Sequence, residues 1–230
     1  MPPNETTCWT MIRGAAAGSA PDRDQFARRY GTVIRAYLAA RWRATIWLGE
    51  IDDAVQEVFV ECFREGGALE RADTDRAGGF RPFFYGVARN VALRIETRRA
   101  RQRERQPPSG VDLEAVAESE EGLSRVFDRA WAKAILREAG ERQEQKARHI
   151  GEEATKRVEL LRLRFQKGWP IREIARQWNA DPKELHREYA RARQEFKAAL
   201  LEVVTFHHPA PSADVERECA DLLDLLAEKK

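Results

Sequence analysis

Ile171-Arg-Glu-Ile-Ala-Arg-Gln-Trp178, Asn179-Ala180-Asp181 and Pro182-Lys-Glu-Leu-His-Arg-Glu-Tyr-Ala-Arg-Ala-Arg193 follow one another without a gap. Ile171, Ile174, Ala175 and Trp178 recur at helical spacing and make one apolar stripe. Ala175 is small where two helices would cross closely. Asn179 tolerates the left-handed backbone that costs most side chains roughly 1–2 kcal/mol. Asp181 is a good N-cap and Pro182 a good first helical residue. In the second segment Leu185, Tyr189, Ala192 and Phe196 share the inward face. Lys183, Glu184, His186, Arg187, Arg191 and Arg193 are left to face outward. The stretch predicts a helix-turn-helix whose second helix carries polar and basic side chains where a major groove would meet them. A plain helical hairpin with a solvated charged face is the competing reading.

Helical periodicity also dominates on both sides of this stretch, and no strand pattern is convincing. Phe26, Tyr30, Val33, Ile34, Tyr37 and Leu38 mark one helix, with Asp22 and Asp24 able to cap or charge its start. Val55, Val58, Phe59, Cys62 and Phe63 mark a second at about 52–64, ended by Gly66-Gly67. A third starts near Arg81-Pro82, with Phe84, Val87, Ala88, Val91, Ala92 and Ile95 on its apolar face, and runs into Arg98–Arg105. Pro107-Pro108-Ser109-Gly110 then breaks the chain. Helical pattern resumes at about 124–148 and 153–167. Val215, Cys219, Leu222, Leu223 and Leu226 give the tail an amphipathic face. The expected fold is all-α. It has a helical domain over 1–106, an acidic linker over 107–123, a helix-turn-helix domain over 124–206 and a C-terminal tail helix over 207–230.

The 230 residues carry 40 Lys+Arg against 38 Asp+Glu, a net charge of only +2, but 34% are charged. That density exceeds the roughly 25% of an average globular chain, so cancelling segments are expected. Residues 81–106 carry 8 basic and 2 acidic side chains, and residues 156–206 carry 12 and 7. Residues 111–123 hold 5 acids and no base, and residues 207–230 hold 3 bases and 6 acids. Two basic modules separated and followed by acidic segments suit a protein that meets nucleic acid at two places. Cys8, Cys62 and Cys219 share no repeated spacing and form no C-x-x-C. They are expected to be reduced thiols, neither a disulfide framework nor a metal site. No apolar run approaches the ~18 residues of a membrane span, and the N-terminus lacks the pattern of a signal peptide. A cytoplasmic, nucleoid-associated location is expected. No phosphate loop, H-E-x-x-H or Ser/His/Asp ordering is present. No enzymatic activity, catalytic residue, metal or cofactor is therefore expected.

Two further motifs sit in a telling order. Glu50-Ile-Asp-Asp-Ala-Val-Gln-Glu-Val-Phe-Val-Glu-Cys-Phe63 resembles the acidic helix of region 2 in bacterial RNA polymerase sigma factors. Phe80-Arg-Pro-Phe-Phe-Tyr-Gly-Val-Ala-Arg-Asn-Val-Ala92, with the arginine run after it, resembles the helix that follows in the same domain. The helix-turn-helix is similar to region 4. The two-domain form resembles the extracytoplasmic-function sigma factors. Thr6–Ile12, Phe127–Trp131 and the acidic tail resemble a branch common in planctomycetes, often linked to serine/threonine kinases. The likeness covers about residues 5–205, and the tail loosely.

This resemblance implies binding to core RNA polymerase, at its β′ clamp helices and β flap, and to promoter DNA. It also admits an anti-sigma factor or a kinase as partner. Asp52, Asp53, Gln56 and Glu57 would meet the clamp, their acidity suiting a basic coiled coil. Asp52 and Asp53 equally suit the positive end of a helix dipole. Arg89 and Asn90 would meet the −10 element, with Arg94, Arg98 and Arg99 on phosphates. Phe84 is expected in the core, and Tyr85 is open between core and DNA. Lys183, His186 and Arg187 would read the −35 element, with Arg191 and Arg193 on phosphates. Glu184 and Glu188 depart from the common pattern; Glu184 either accepts from a cytosine amino group or weakens binding. Thr32, Thr45 and Thr74 are candidate phosphorylation sites. The tail either packs as a structural element or masks a basic face. A stand-alone helix-turn-helix regulator would explain 160–205, but not the acidic helix or the second basic module.

Overall fold

A computed structural model describes residues 8–43, 45–73, 79–103, 119–207 and 212–227. Among these residues the chain is all-helical, with no strand. The helices are α1 (Cys8–Ala16), α2 (Ala20–Arg41), α3 (Ile51–Phe63), α4 (Phe80–Arg103), α5 (Glu120–Ile150), α6 (Glu152–Phe165), α7 (Ile171–Trp178), α8 (Pro182–His207) and α9 (Ser212–Ala227). Short 3-10 turns span Ile46–Glu50 and Leu69–Arg71. Thr74, residues 104–106 at the end of the expected first domain and residues 107–118 of the expected linker lie outside the described residues.

Two compact units result. The first comprises Met1–Ala134 with Phe206–Pro209 and Asp221–Lys230; the second comprises Ile135–Thr205 with Ala210–Ala220. The first is built on aromatic packing. Phe26 is fully buried, its ring centroid 4.6–6.3 Å from those of Tyr30, Phe59, Phe63, Phe80 and Phe84, each edge-on. Edge-to-face contacts add about 0.5–1.5 kcal/mol each beyond the area they bury. Phe127 and Trp131 of α5 join the same core: Trp131 stacks on Tyr30 at 5.1 Å, and Phe127 lies 6.2 Å from Phe84. Residues 124–134, grouped by the sequence with the helix-turn-helix, thus belong to the first unit. Periodicity marks Phe127 and Trp131 as one face but does not say which core receives it.

Local signals account for the helix ends. The α2 cap is Ser19, whose Oγ accepts from the Asp22 backbone N–H, with Pro21 in the first turn. Asp22 contributes first-turn charge instead of the cap. After α3, Gly66 adopts φ +64°, and a Cβ on Gly67 would stand 2.5 Å from the Arg64 carbonyl oxygen. Only glycines allow the chain to turn back so tightly there. In the second unit Leu160, Ile171, Ile174, Ala175 and Leu185 form the core, with Leu163, Trp169, Trp178 and Tyr189 packed against it. The stripe read along 171–178 is therefore the buried face of α7. Gln143 is buried, and its Nε2 donates to the Ala192 carbonyl at 3.0 Å. No helix among the described residues is long and apolar enough to cross a membrane.

Candidate nucleic-acid and partner surfaces

The joint between α7 and α8 is sharp because one residue is left-handed. Asn179 has φ 49°, ψ 46°, and it is the one non-glycine residue with positive φ among those described. Its own N–H donates to Arg176, and the Ala180 N–H donates to Ala175 at 3.0 Å, closing the end of α7. Asp181 then caps α8 through Oδ1, which accepts from the Lys183 N–H at 2.9 Å. Leu185 and Ala192 are buried, and Tyr189 and Phe196 are partly buried. This rotation leaves Lys183, Glu184, His186, Arg187, Arg191 and Arg193 all exposed.

Their neighbours divide them into two groups. Arg191 pairs with Glu188 at 2.9 Å, and Arg193 lies over the Tyr189 ring at 5.9 Å. Lys183, His186 and Arg187 at the start of the helix make no ion pair among the described residues. Glu184 is likewise exposed and without an ion pair among them. Glu188 has a structural role that its position in sequence hid. It accepts from Arg157 of α6 at 3.3 Å, while Arg157 also pairs with Glu195 at 2.8 Å. Arg157 is only 12% exposed, so this pair ties α6 to α8 beneath the exposed face.

In the first unit, Asp52 and Asp53 fall in the first turn of α3, where they also suit the helix dipole. Asp52, Asp53 and Gln56 are exposed, Glu57 is half-buried, and Val60 beyond them is 64% exposed. Asp52 pairs with Arg35 of α2. Glu57 pairs with Arg98 of α4 at 2.6 Å.

Helix α4 holds the other candidate residues. Asn90 is exposed; Arg89 Nε donates to the Glu120 carboxylate of α5 at 2.8 Å. Arg94 pairs with Glu61 at 3.0 Å, and Arg99 with Glu50 at 2.8 Å. Phe84 is fully buried, and Tyr85 sits edge-on between Tyr37 and Phe127 at 5.5 and 5.3 Å. The Tyr85 hydroxyl is 3.3 Å from Glu120, so this ring is part of the packing between α2, α4 and α5.

Glu120 is a residue that sequence reasoning counted only as linker charge. It accepts from Arg89 and Arg41, and these arginines, Arg89 foremost, hold its carboxyl below the usual range. Glu61 is likewise held low by Arg64 and then Arg94. Beneath them, Arg41 makes two bonds to Glu96 at 2.7 and 3.0 Å, and Trp42 Nε1 donates to the same carboxylate at 2.8 Å. Thr45, a candidate for phosphorylation, already uses its hydroxyl: it donates to the Trp42 carbonyl and accepts from the Trp47 N–H. Among the described residues, no three His, Cys, Asp or Glu side chains converge as metal ligands would. No protein-family model matches the chain, and no curated protein sequence matches it significantly.

Proposed function

We propose that the protein is a sigma-type transcription factor that binds core RNA polymerase and directs promoter recognition. The observation that carries this reading is the α7–α8 joint. A left-handed Asn179 and the Asp181 cap set α8 so that Lys183, His186 and Arg187 stand exposed at its start, without ion pairs among the described residues. Side chains at the start of such a helix are those that reach base edges in a major groove. Arg187 offers the fork that guanine accepts, and Glu184 suits a cytosine amino group. Arg191 and Arg193, nearer the middle of the helix, suit phosphates. The arginine face of α4 supports a second nucleic-acid contact, with Asn90 exposed beside it.

The polymerase half of the reading rests on α3. Its exposed Asp53 and Gln56, next to the exposed Val60, offer acid, amide and apolar area on one element. A basic coiled coil is a complementary partner for such a patch. Bacterial core RNA polymerase mixed with the chain should co-elute with it in gel filtration, and Asp53→Lys should weaken that association. A chain that binds duplex DNA but never co-elutes with polymerase would instead be a stand-alone regulator. Arg187→Ala should change sequence preference, whereas Arg98→Ala should weaken binding across all sequences.

A further inference from the structure

Glu188 is the acid that fits the nucleic-acid reading of α8 least, because it sits among the side chains expected on DNA. Both of its oxygens are used. Oε1 accepts from Arg191 Nη1 at 2.9 Å, and Oε2 accepts from Arg157 Nη1 at 3.3 Å. Arg157, on α6, also donates through Nε to Glu195 at 2.8 Å. Glu188, Arg191 and Glu195 are spaced i, i+3 and i+7, so they follow one flank of α8. Arg157 therefore holds two successive turns of α8. The chain Glu195–Arg157–Glu188–Arg191 contains two acids and two bases and has no net charge.

We propose that Arg157 and Glu188 are positioning residues that hold Arg191 ready for a DNA phosphate. The inference rests on the duplex-binding half of the functional reading above and deepens it. A long side chain that is unconstrained on a helix surface loses rotamer freedom when a ligand takes it. Arg191 has given up part of that freedom before DNA arrives, because Glu188 pins its Nη1. Its Nε and Nη2 make no hydrogen bond among the described residues, and they remain for a phosphate. An exposed pair at i, i+3 holds weakly by itself. Here the carboxylate is anchored from behind: Arg157 is 12% exposed, and Glu195 fixes its other edge. A guanidinium serves both acids because its donors form a rigid planar fork, a geometry that an ammonium does not reproduce. Glu188 thus strengthens DNA binding through Arg191, whereas its charge alone would weaken it.

The test uses the full chain and a fluorescent duplex oligonucleotide of mixed sequence, titrated across salt concentrations. Glu188→Gln removes an acid from the DNA-facing helix, so charge alone would tighten binding. Positioning predicts the opposite sign: affinity about 2- to 12-fold lower, the cost of ordering one long side chain. The slope of log affinity on log salt should stay at the wild-type value, because the same phosphate is still neutralised. Arg191→Ala should flatten that slope by about 0.9. In the Arg191→Ala background, Glu188→Gln should no longer weaken binding. A carboxylate that only packs α6 on α8 would weaken it equally in both backgrounds. Arg157→Lys keeps the charge and loses the fork, and it too should weaken binding only where Arg191 is present. A Glu188→Gln chain that binds as tightly as the wild type, or tighter, overturns the proposal. Equal losses in the two backgrounds, or no duplex binding by the wild type, overturn it as well. The functional reading fails separately: the predicted pattern in a chain that never co-elutes with polymerase keeps the positioning and removes the polymerase.

Discussion

Asn179 is the residue on which the geometry of the second unit turns, and its replacement gives a calculable effect. Asn179→Ala and Asn179→Gly both keep the backbone donors of residues 179 and 180, which close α7 on Arg176 and Ala175. Neither removes buried area, because Asn179 is exposed. What differs is the backbone at φ 49°, ψ 46°. A Cβ there meets the following carbonyl, at a cost of roughly 1–2 kcal/mol, part of which asparagine already escapes by local hydrogen bonding. Asn179→Ala should therefore lose about 1 kcal/mol, and Asn179→Gly only a few tenths. For a domain of this size 1 kcal/mol lowers the melting midpoint by about 4–8 °C. Thermal unfolding followed by circular dichroism reads the midpoint. Hydrogen exchange localises the loss, and the amides of α7 and the first turn of α8 should lose protection first. Equal midpoints for the two variants, both unchanged, would show that the left-handed turn does not set this joint.

Other substitutions and conditions follow from the same contacts. Glu96→Gln removes a charge from the pair that Arg41, 11% exposed, makes beneath α4; chemical denaturation should show a loss of about 2–3 kcal/mol. Glu61 and Glu120 have carboxyls held below their ordinary 4.5, so their stabilisation is complete above that value and is lost as pH falls through the lowered one. The melting midpoint of the wild type should drop from about pH 5 downward, and Glu61→Gln should flatten that drop; an unchanged slope would contradict the assignment. Cys8, Cys62 and Cys219 are all buried, and burial pushes the Cys62 thiol up to about 12. A chromogenic thiol reagent near pH 8 should find no reactive thiol in the native chain and three in guanidinium.

Much of the α7–α8 joint was legible because its determinants are local. The αL-tolerant asparagine, the Asp181 cap and the stripe of Ile171, Ile174 and Ala175 each act within a turn or two. The exposure of Lys183, His186 and Arg187 follows from that stripe once the helix is assigned. The ion pairs were not legible. Arg41 finds Glu96, and Arg98 finds Glu57, across 55 and 41 residues of sequence. No helical spacing announces such partners, since the packing of whole helices brings them together. Phe127 and Trp131 illustrate the same limit. Their spacing marks an apolar face, but only the aromatic core around Tyr30 and Phe84 determines that they join the first unit.

The role proposed for this chain is to give polymerase a promoter preference. Its most direct test is transcription by bacterial core RNA polymerase, with and without the protein, on a library of random DNA. Initiation should occur only when the protein is added, at sites sharing two short elements, with Arg187→Ala changing the upstream one. Equal transcripts with and without the protein would contradict it.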